Sequence, residues 1–148
     1  MDPTLNDQER IYVSKLSRSF AYAPEYGDIV VIDSRVDRDR KFSDDLSEHP
    51  LVELVTKGRM NADDYFYVKR VIGKAGDVLE FKDNKIYRNG EVLEEDYIKE
   101  TMLYTAEKPF VVPEKHIFVM GDNRNHSEDS RAIGYIPLNH VMGIKIMP

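Results

Sequence analysis

The sequence predicts a mostly β fold, and three observations carry that reading. Apolar runs are short and separated by turn residues. Ile29-Val30-Val31-Ile32 puts four β-branched residues in a row, as a strand covered on both faces requires. Helix signals are scarce. Taken in order, Gly27-Asp28 opens the Ile29–Ile32 strand. Tyr65 to Ile72 is the next strand, with Gly73 expected to end it. Val78 to Phe81 and Lys85 to Arg88 flank Lys82-Asp83-Asn84 as a hairpin. Asn89-Gly90 then signals a tight I′ turn, because both residues tolerate positive φ. Phe110 to Val112, Ile117 to Met120 and Met142 to Met147 supply three more strands. One short helix is expected over Pro50 to Lys57, with Pro50 in the first turn and Gly58 at the end.

That helix lies within a polar surface excursion, residues 33–64, too charged to bury much core. The reading divides the chain into a β core, residues 1–78 and 109–148, and a small β insert, residues 79–108. There is no internal repeat and no low-complexity tract.

Composition removes several functions. The 148 residues are 41% hydrophobic and 32% charged, enough for a packed core. There is no Cys, which excludes disulfides, Cys-bound zinc and thiol catalysis. A net charge of −6 argues against nucleic acid as the partner, since phosphate binding needs a basic surface. The longest stretch free of Asp, Glu, Lys and Arg, Ala132 to Ile144, has 13 residues, short of a membrane span. His49, His116, His126 and His140 lack the spacing of a zinc-binding helix. Arg124 spoils the calcium-loop pattern of the acidic stretch after Gly121. No metal and no cofactor are expected.

Two segments could hold chemistry. Tyr67-Val68-Lys69-Arg70-Val71-Ile72-Gly73 sets two cations among apolar residues. Alternation puts Tyr67, Lys69 and Val71 on one face, Val68, Arg70 and Ile72 on the other. If both faces are covered, desolvation lowers the pKa of Lys69 and frees an amine to take a proton from a hydroxyl. Arg70 cannot do so. The alternative is an edge strand with both cations in water. The second segment is Gly121 to Arg131, directly after an apolar strand. Asp122, Asp129, Arg124 and Arg131 could pair to hold it rigid and present Ser127. The alternative is a solvated loop.

In order, these segments resemble the type I signal peptidase family (peptidase family S26), in particular its Gram-positive-like members. Met1-Asp2-Pro3-Thr4-Leu5 matches the end of the family's Ser-Met-x-Pro-Thr-Leu box. Gly27-Asp28-Ile29-Val30-Val31 matches its Gly-Asp-apolar box, and Tyr67 to Gly73 with Gly76-Asp77 matches its lysine box. Gly121-Asp122-Asn123-Arg124-Asn125-His126-Ser127-Glu128-Asp129-Ser130-Arg131 matches Gly-Asp-Asn-Arg-x-x-Ser-x-Asp-Ser-Arg. Lys74-Ala75 departs from the usual Leu-Pro, in a turn outside the chemistry.

The resemblance implies a core of coiled antiparallel sheets and a Ser/Lys protease that removes signal peptides after small-x-small sites. By resemblance Lys69 is the general base, Ser127 orients its amine, and Tyr67 lines the site. Asp129 and Arg131 form a supporting ion pair, and Asp122 is an acid of the same box. Met1, Pro3, Ile29 and Val31 fall where the family binds substrate, in shallow pockets that reject large side chains. The nucleophilic serine falls immediately before Met1, and the oxyanion-hole serine two residues earlier. Loss of one oxyanion donor costs about 3–4 kcal/mol, and without a nucleophile acyl transfer cannot begin. The chain as given is therefore expected to be inactive, a soluble piece of a parent held at the extracytoplasmic face of a bacterial membrane.

Two other functions compete with this one. A signal-peptidase-like assembly factor for surface proteins would lack the dyad, against which Lys69 and Ser127 both stand. A self-cleaving SOS repressor also uses Ser and Lys. The long Gly121–Arg131 box and the absence of a DNA-binding segment speak against it.

Overall fold

The computed structural model describes residues 1–6, 11–14, 23–37 and 65–146. Ten strands and one short α-helix are described: β1 (Tyr12–Ser14), β2 (Ile29–Asp33), β3 (Phe66–Lys74), β4 (Val78–Lys82), β5 (Lys85–Arg88), β6 (Glu91–Val92), β7 (Phe110–Val111), β8 (His116–Met120), α1 (Ser130–Ile133), β9 (Ile136–Pro137) and β10 (Val141–Ile146). The fold is mostly antiparallel β, as expected. The strands form a six-stranded sheet, order β1-β10-β2-β3-β8-β9, and a four-stranded sheet, order β6-β5-β4-β7. Among the described residues no helix is long and apolar enough to cross a membrane.

All five residues of β2 are buried. The β-branched run sits between β10 and β3, where both faces of the sheet are covered. Val30 and Ile32 face a core with Val71, Val119 and Ile136. Ile29 and Val31 face a second core with Leu5, Ile11 and Met142. Asp83 and Asn84 both take positive φ in the turn from β4 to β5, as Asn89 and Gly90 do from β5 to β6. The Asn89-Gly90 turn is the I′ turn that its dipeptide signals, and Asp83-Asn84 closes the expected hairpin with the same pair of positive φ values.

Three details differ from expectation. Gly73 does not end β3, which continues to Lys74. The register slips between Val71 and Gly73, leaving Ile72 as an extra residue opposite β8. A Cβ on Gly73 would stand 2.9 Å from Leu79 Cδ1, so glycine here serves close approach inside a bulged strand. The bulge sends Ile72 into a third core with Leu79, Phe81, Ile86 and Phe118. Next, the expected helix over Pro50 to Lys57 lies outside the described residues. The described helix, α1, was not expected, because four residues are too few for periodicity. Its caps are nevertheless visible in sequence: the Asp129 carboxylate accepts from the Arg131 amide, and Gly134 follows at φ 86°. Last, β1, β6 and β9 have two or three residues each, too few for an apolar run, and exist only through their partners.

Candidate active site

β3 decides between the two readings of Lys69 and Arg70. It pairs with β2 on one side and β8 on the other, so it is an interior strand, not an edge. Lys69 stands directly opposite Val30. Its side chain leaves the sheet on the face of Val30, Ile32, Tyr67 and Val71. There Lys69 Nζ donates to Ser127 Oγ at 3.0 Å. Burial pushes the amine below the ordinary lysine value. The carboxylates of Asp129 and Glu128 oppose that shift, Arg131 reinforces it, and Asp122 opposes it weakly. The Tyr67 ring centre lies 5.3 Å from Nζ, and its hydroxyl donates to Glu128 Oε2 at 3.3 Å.

The loop after β8 is built around Asp129. Its buried carboxylate receives Arg131 Nε and Nη2, each at 2.8 Å, and the Gly121 amide at 3.0 Å. Burial alone would raise this carboxyl, but the Arg131 and Gly121 hydrogen bonds hold it below the usual carboxylate range. Ser130 Oγ accepts the Val119 amide at 3.0 Å. The loop thereby satisfies β8 amides beyond the stretch, His116 and Ile117, that β9 pairs. Pairing Asp129 with Arg131 also sets a cation beside the carboxylate, which partly offsets its pull on the Lys69 amine. Asp129→Ala leaves Arg131 without its partner and removes the α1 cap. The expected loss is about 3–5 kcal/mol of stability, read by urea unfolding. The depressed Asp129 carboxyl contributes stability that is present above the unfolded aspartate value and lost as pH falls through the folded one. Asp129→Asn is expected to weaken that acid dependence.

Gly121 is the residue that sequence reasoning passed over. Continuing the β3–β8 register one step from Arg70↔Met120 sets it opposite Lys69. A Cβ there would stand 2.1 Å from Ser127 Oγ and 3.7 Å from Lys69 Nζ. Ser127 can reach the lysine only over a residue with no side chain. The signal was present: a glycine at the first position after a buried strand, opposite the candidate base.

Not every expected pair forms within the loop. Asp129 and Arg131 pair as anticipated. Asp122 instead takes Arg70, with Nε to Oδ1 at 2.9 Å and Nη2 to Oδ2 at 2.8 Å, while Arg124 takes Glu95. Both partners are distant in sequence, which a local pattern cannot anticipate. Thr4 hydrogen-bonds to Asp122, and its Oγ1 accepts from Arg70 Nη2 at 3.2 Å. The start of the described chain is thus held against the residues that follow Lys69 and Gly121. Met1 packs on the core that contains Ile29 and Val31, and Pro3 is exposed. That core lies on the opposite face of the sheet from the Lys69 side chain. The structure therefore gathers Lys69, Ser127, Tyr67, Asp129 and Arg131 at one point, sets Asp122 beside it, and keeps Ile29 and Val31 on the other face.

A part-buried lysine amine hydrogen-bonded to a serine hydroxyl is an arrangement able to exchange a proton. Comparison with known proteins identifies the family. The profile described as "Signal peptidase, peptidase S26" matches residues 1–148. Signal peptidase I of Bacillus licheniformis is 37% identical over 155 residues, covering 97% of this chain and 68% of that protein. Thylakoidal processing peptidase 1 of Arabidopsis thaliana is 36% identical over 143 residues, and this chain spans only 37% of its length. A signal peptidase I crystal structure from Enterococcus faecalis superposes with a TM-score of 0.54 at 25% identity, covering 82% of this chain and 96% of that one. On this evidence the chain belongs to the signal peptidase family, peptidase S26.

Proposed function

We propose that the chain is the catalytic domain of a signal peptidase I, a serine endopeptidase that removes signal peptides after small-x-small sites at the extracytoplasmic face of a bacterial membrane. Lys69 is the general base, and the nucleophile is a serine immediately before Met1. The observation that carries the reading is the buried Lys69 amine, lowered by desolvation and held by Ser127 at 3.0 Å. A neutral amine takes the serine proton as Oγ attacks the scissile carbonyl. The tetrahedral oxyanion then collapses, the leaving amine takes the proton back from Lys69, and water hydrolyses the acyl ester with Lys69 again as base. Ser127 orients the amine, and Tyr67 lines the site. The resemblance assigns Met1, Pro3, Ile29 and Val31 to substrate binding. In the structure Ile29 and Val31 are buried in the core on the other face of the sheet. That leaves Met1 and Pro3 as the candidates for a rim that admits only small side chains. In this proposal residues 1–78 and 109–148 form the catalytic core, and residues 79–108 are a β insert.

The test compares two polypeptides on a peptide with Ala at −1 and −3. The 148-residue chain is expected to be inert, and the same chain with Ser added before Met1 is expected to cleave after the −1 Ala. No cleavage by the serine-extended, folded chain overturns the peptidase reading and leaves a non-enzymatic assembly role.

A further inference from the structure

The polar stretch after β6 falls within residues 79–108, which the sequence reading sets apart from the core as a small β insert. In the structure it grips the loop that carries Gly121 and Ser127. Arg124 is fully buried, and each of its three guanidinium nitrogens has a partner. Nε donates to the Gly121 carbonyl at 3.0 Å, Nη1 to Glu95 Oε2 at 2.8 Å and Nη2 to Glu95 Oε1 at 2.6 Å. Tyr97 donates its hydroxyl to Glu95 Oε1 at 2.9 Å. Two guanidiniums approach its ring, with Arg70 Cζ at 4.0 Å and Arg124 Cζ at 5.9 Å from the centroid. The Lys99 amide donates to the Asp122 carbonyl at 3.2 Å.

A buried guanidinium is stable only where its carboxylate holds it, so Arg124 goes where Glu95 is. Arg124 in turn fixes the Gly121 carbonyl, and Gly121 is the surface on which Ser127 approaches Lys69. Tyr97 covers Arg70, which clamps Asp122, the residue after Gly121. Three contacts from one five-residue segment, through Glu95, Tyr97 and the Lys99 amide, therefore converge on Gly121 and Asp122.

Resting on the peptidase reading above, we propose that Glu95 and Tyr97 are positioning residues: acting through Arg124 and Arg70, they hold Gly121 and Asp122 so that Ser127 Oγ stays against Lys69 Nζ.

The role is tested by following the Lys69 side chain by NMR across a pH titration of the 148-residue chain, which needs no cleavage. Asp129, Glu128, Arg131 and Asp122 are the charged groups that act on this amine, and none is altered in the variants used. A loosened loop admits water and returns the titration upward toward ordinary lysine. Tyr97→Leu and Glu95→Gln are expected to move it upward. Tyr97→Phe keeps the ring against the guanidiniums and is expected to leave the titration in place. Ile86→Val, in the core of the four-stranded sheet, lowers stability without touching the segment and is also expected to leave it in place. In the serine-extended chain, Tyr97→Leu is expected to lower kcat roughly 10- to 100-fold with KM nearly unchanged. If folded Tyr97→Leu and Glu95→Gln titrate like the unsubstituted chain, or if Ile86→Val shifts Lys69 as far, the positioning role is overturned. Should Glu95→Gln fail to fold, Tyr97→Leu alone decides. Loss of cleavage in the unsubstituted serine-extended chain would count against the peptidase reading only, because the titration stands apart from it.

Discussion

In the serine-extended chain, Lys69→Ala and Lys69→Arg are both expected to lose cleavage by on the order of 10³-fold or more, since each removes the general base. Arg keeps the length and charge but cannot give up its proton, so it separates basicity from packing. The pH profile carries the same assignment. Only the neutral amine is a base, so kcat/KM is expected to rise with pH and to level off below the ordinary lysine value of 10.5, in the direction that burial shifts Lys69. A profile that rises only toward 10.5 would remove Lys69 from the role. Stability should rise with pH as well, over the higher window between the lowered value and 10.5. A folded-state lysine value below the unfolded one means the unfolded chain binds the extra proton more readily. The ammonium therefore destabilises the fold at all pH below the lowered value, and this cost fades as pH rises toward 10.5. Lys69→Met removes the charge and keeps the volume. It is expected to raise the urea midpoint at pH 7 while abolishing cleavage.

Gly121→Ala is expected to cost about 100-fold in kcat/KM. The added Cβ would stand 2.1 Å from Ser127 Oγ and 2.7 Å from Ser127 Cβ, far inside contact distance. Ser127 must move, and a displacement near 1 Å in a positioning group costs about that factor. Overpacking of about 1–3 kcal/mol is expected alongside it, read by urea unfolding. Gly121→Ala combined with Ser127→Gly removes the clash but not the missing hydroxyl. Its stability is expected to recover while its activity does not. Recovery of both would show that Ser127 has no part in orienting the base.

The contrast between these residues shows how much the chain reveals locally. The Ile29–Ile32 run announces a strand covered on both faces, and β2 is fully buried. The Asp83-Asn84 and Asn89-Gly90 turns need only the tolerance of those residues for positive φ, and both form. Gly73 was harder, because a glycine inside a strand and a glycine ending one look alike until Leu79 is seen packed against it. The two cations at Lys69 and Arg70 are harder again. Alternation separates their faces, but whether either face is dry depends on β2 and β8, which come from residues 29–33 and 116–120.

Short-range rules acting on the 148 residues were therefore enough for strand class, turn type and the order of the motif boxes, since each depends on residues within a few positions of one another. They left the pairing of Asp122, Asp129, Arg124 and Arg131 open, and the family resemblance alone marked Asp129 and Arg131 as partners, two positions apart. The neighbours of Arg70, Arg124 and Gly121 lie 52, 29 and 6 residues away, at Asp122, Glu95 and Ser127. Burial of the Lys69 amine, and so its basicity, arises where those segments meet. Desolvation belongs to the assembled interior rather than to any stretch of chain, and that is why composition could allow a lowered lysine here but only the packed sheet lowers it.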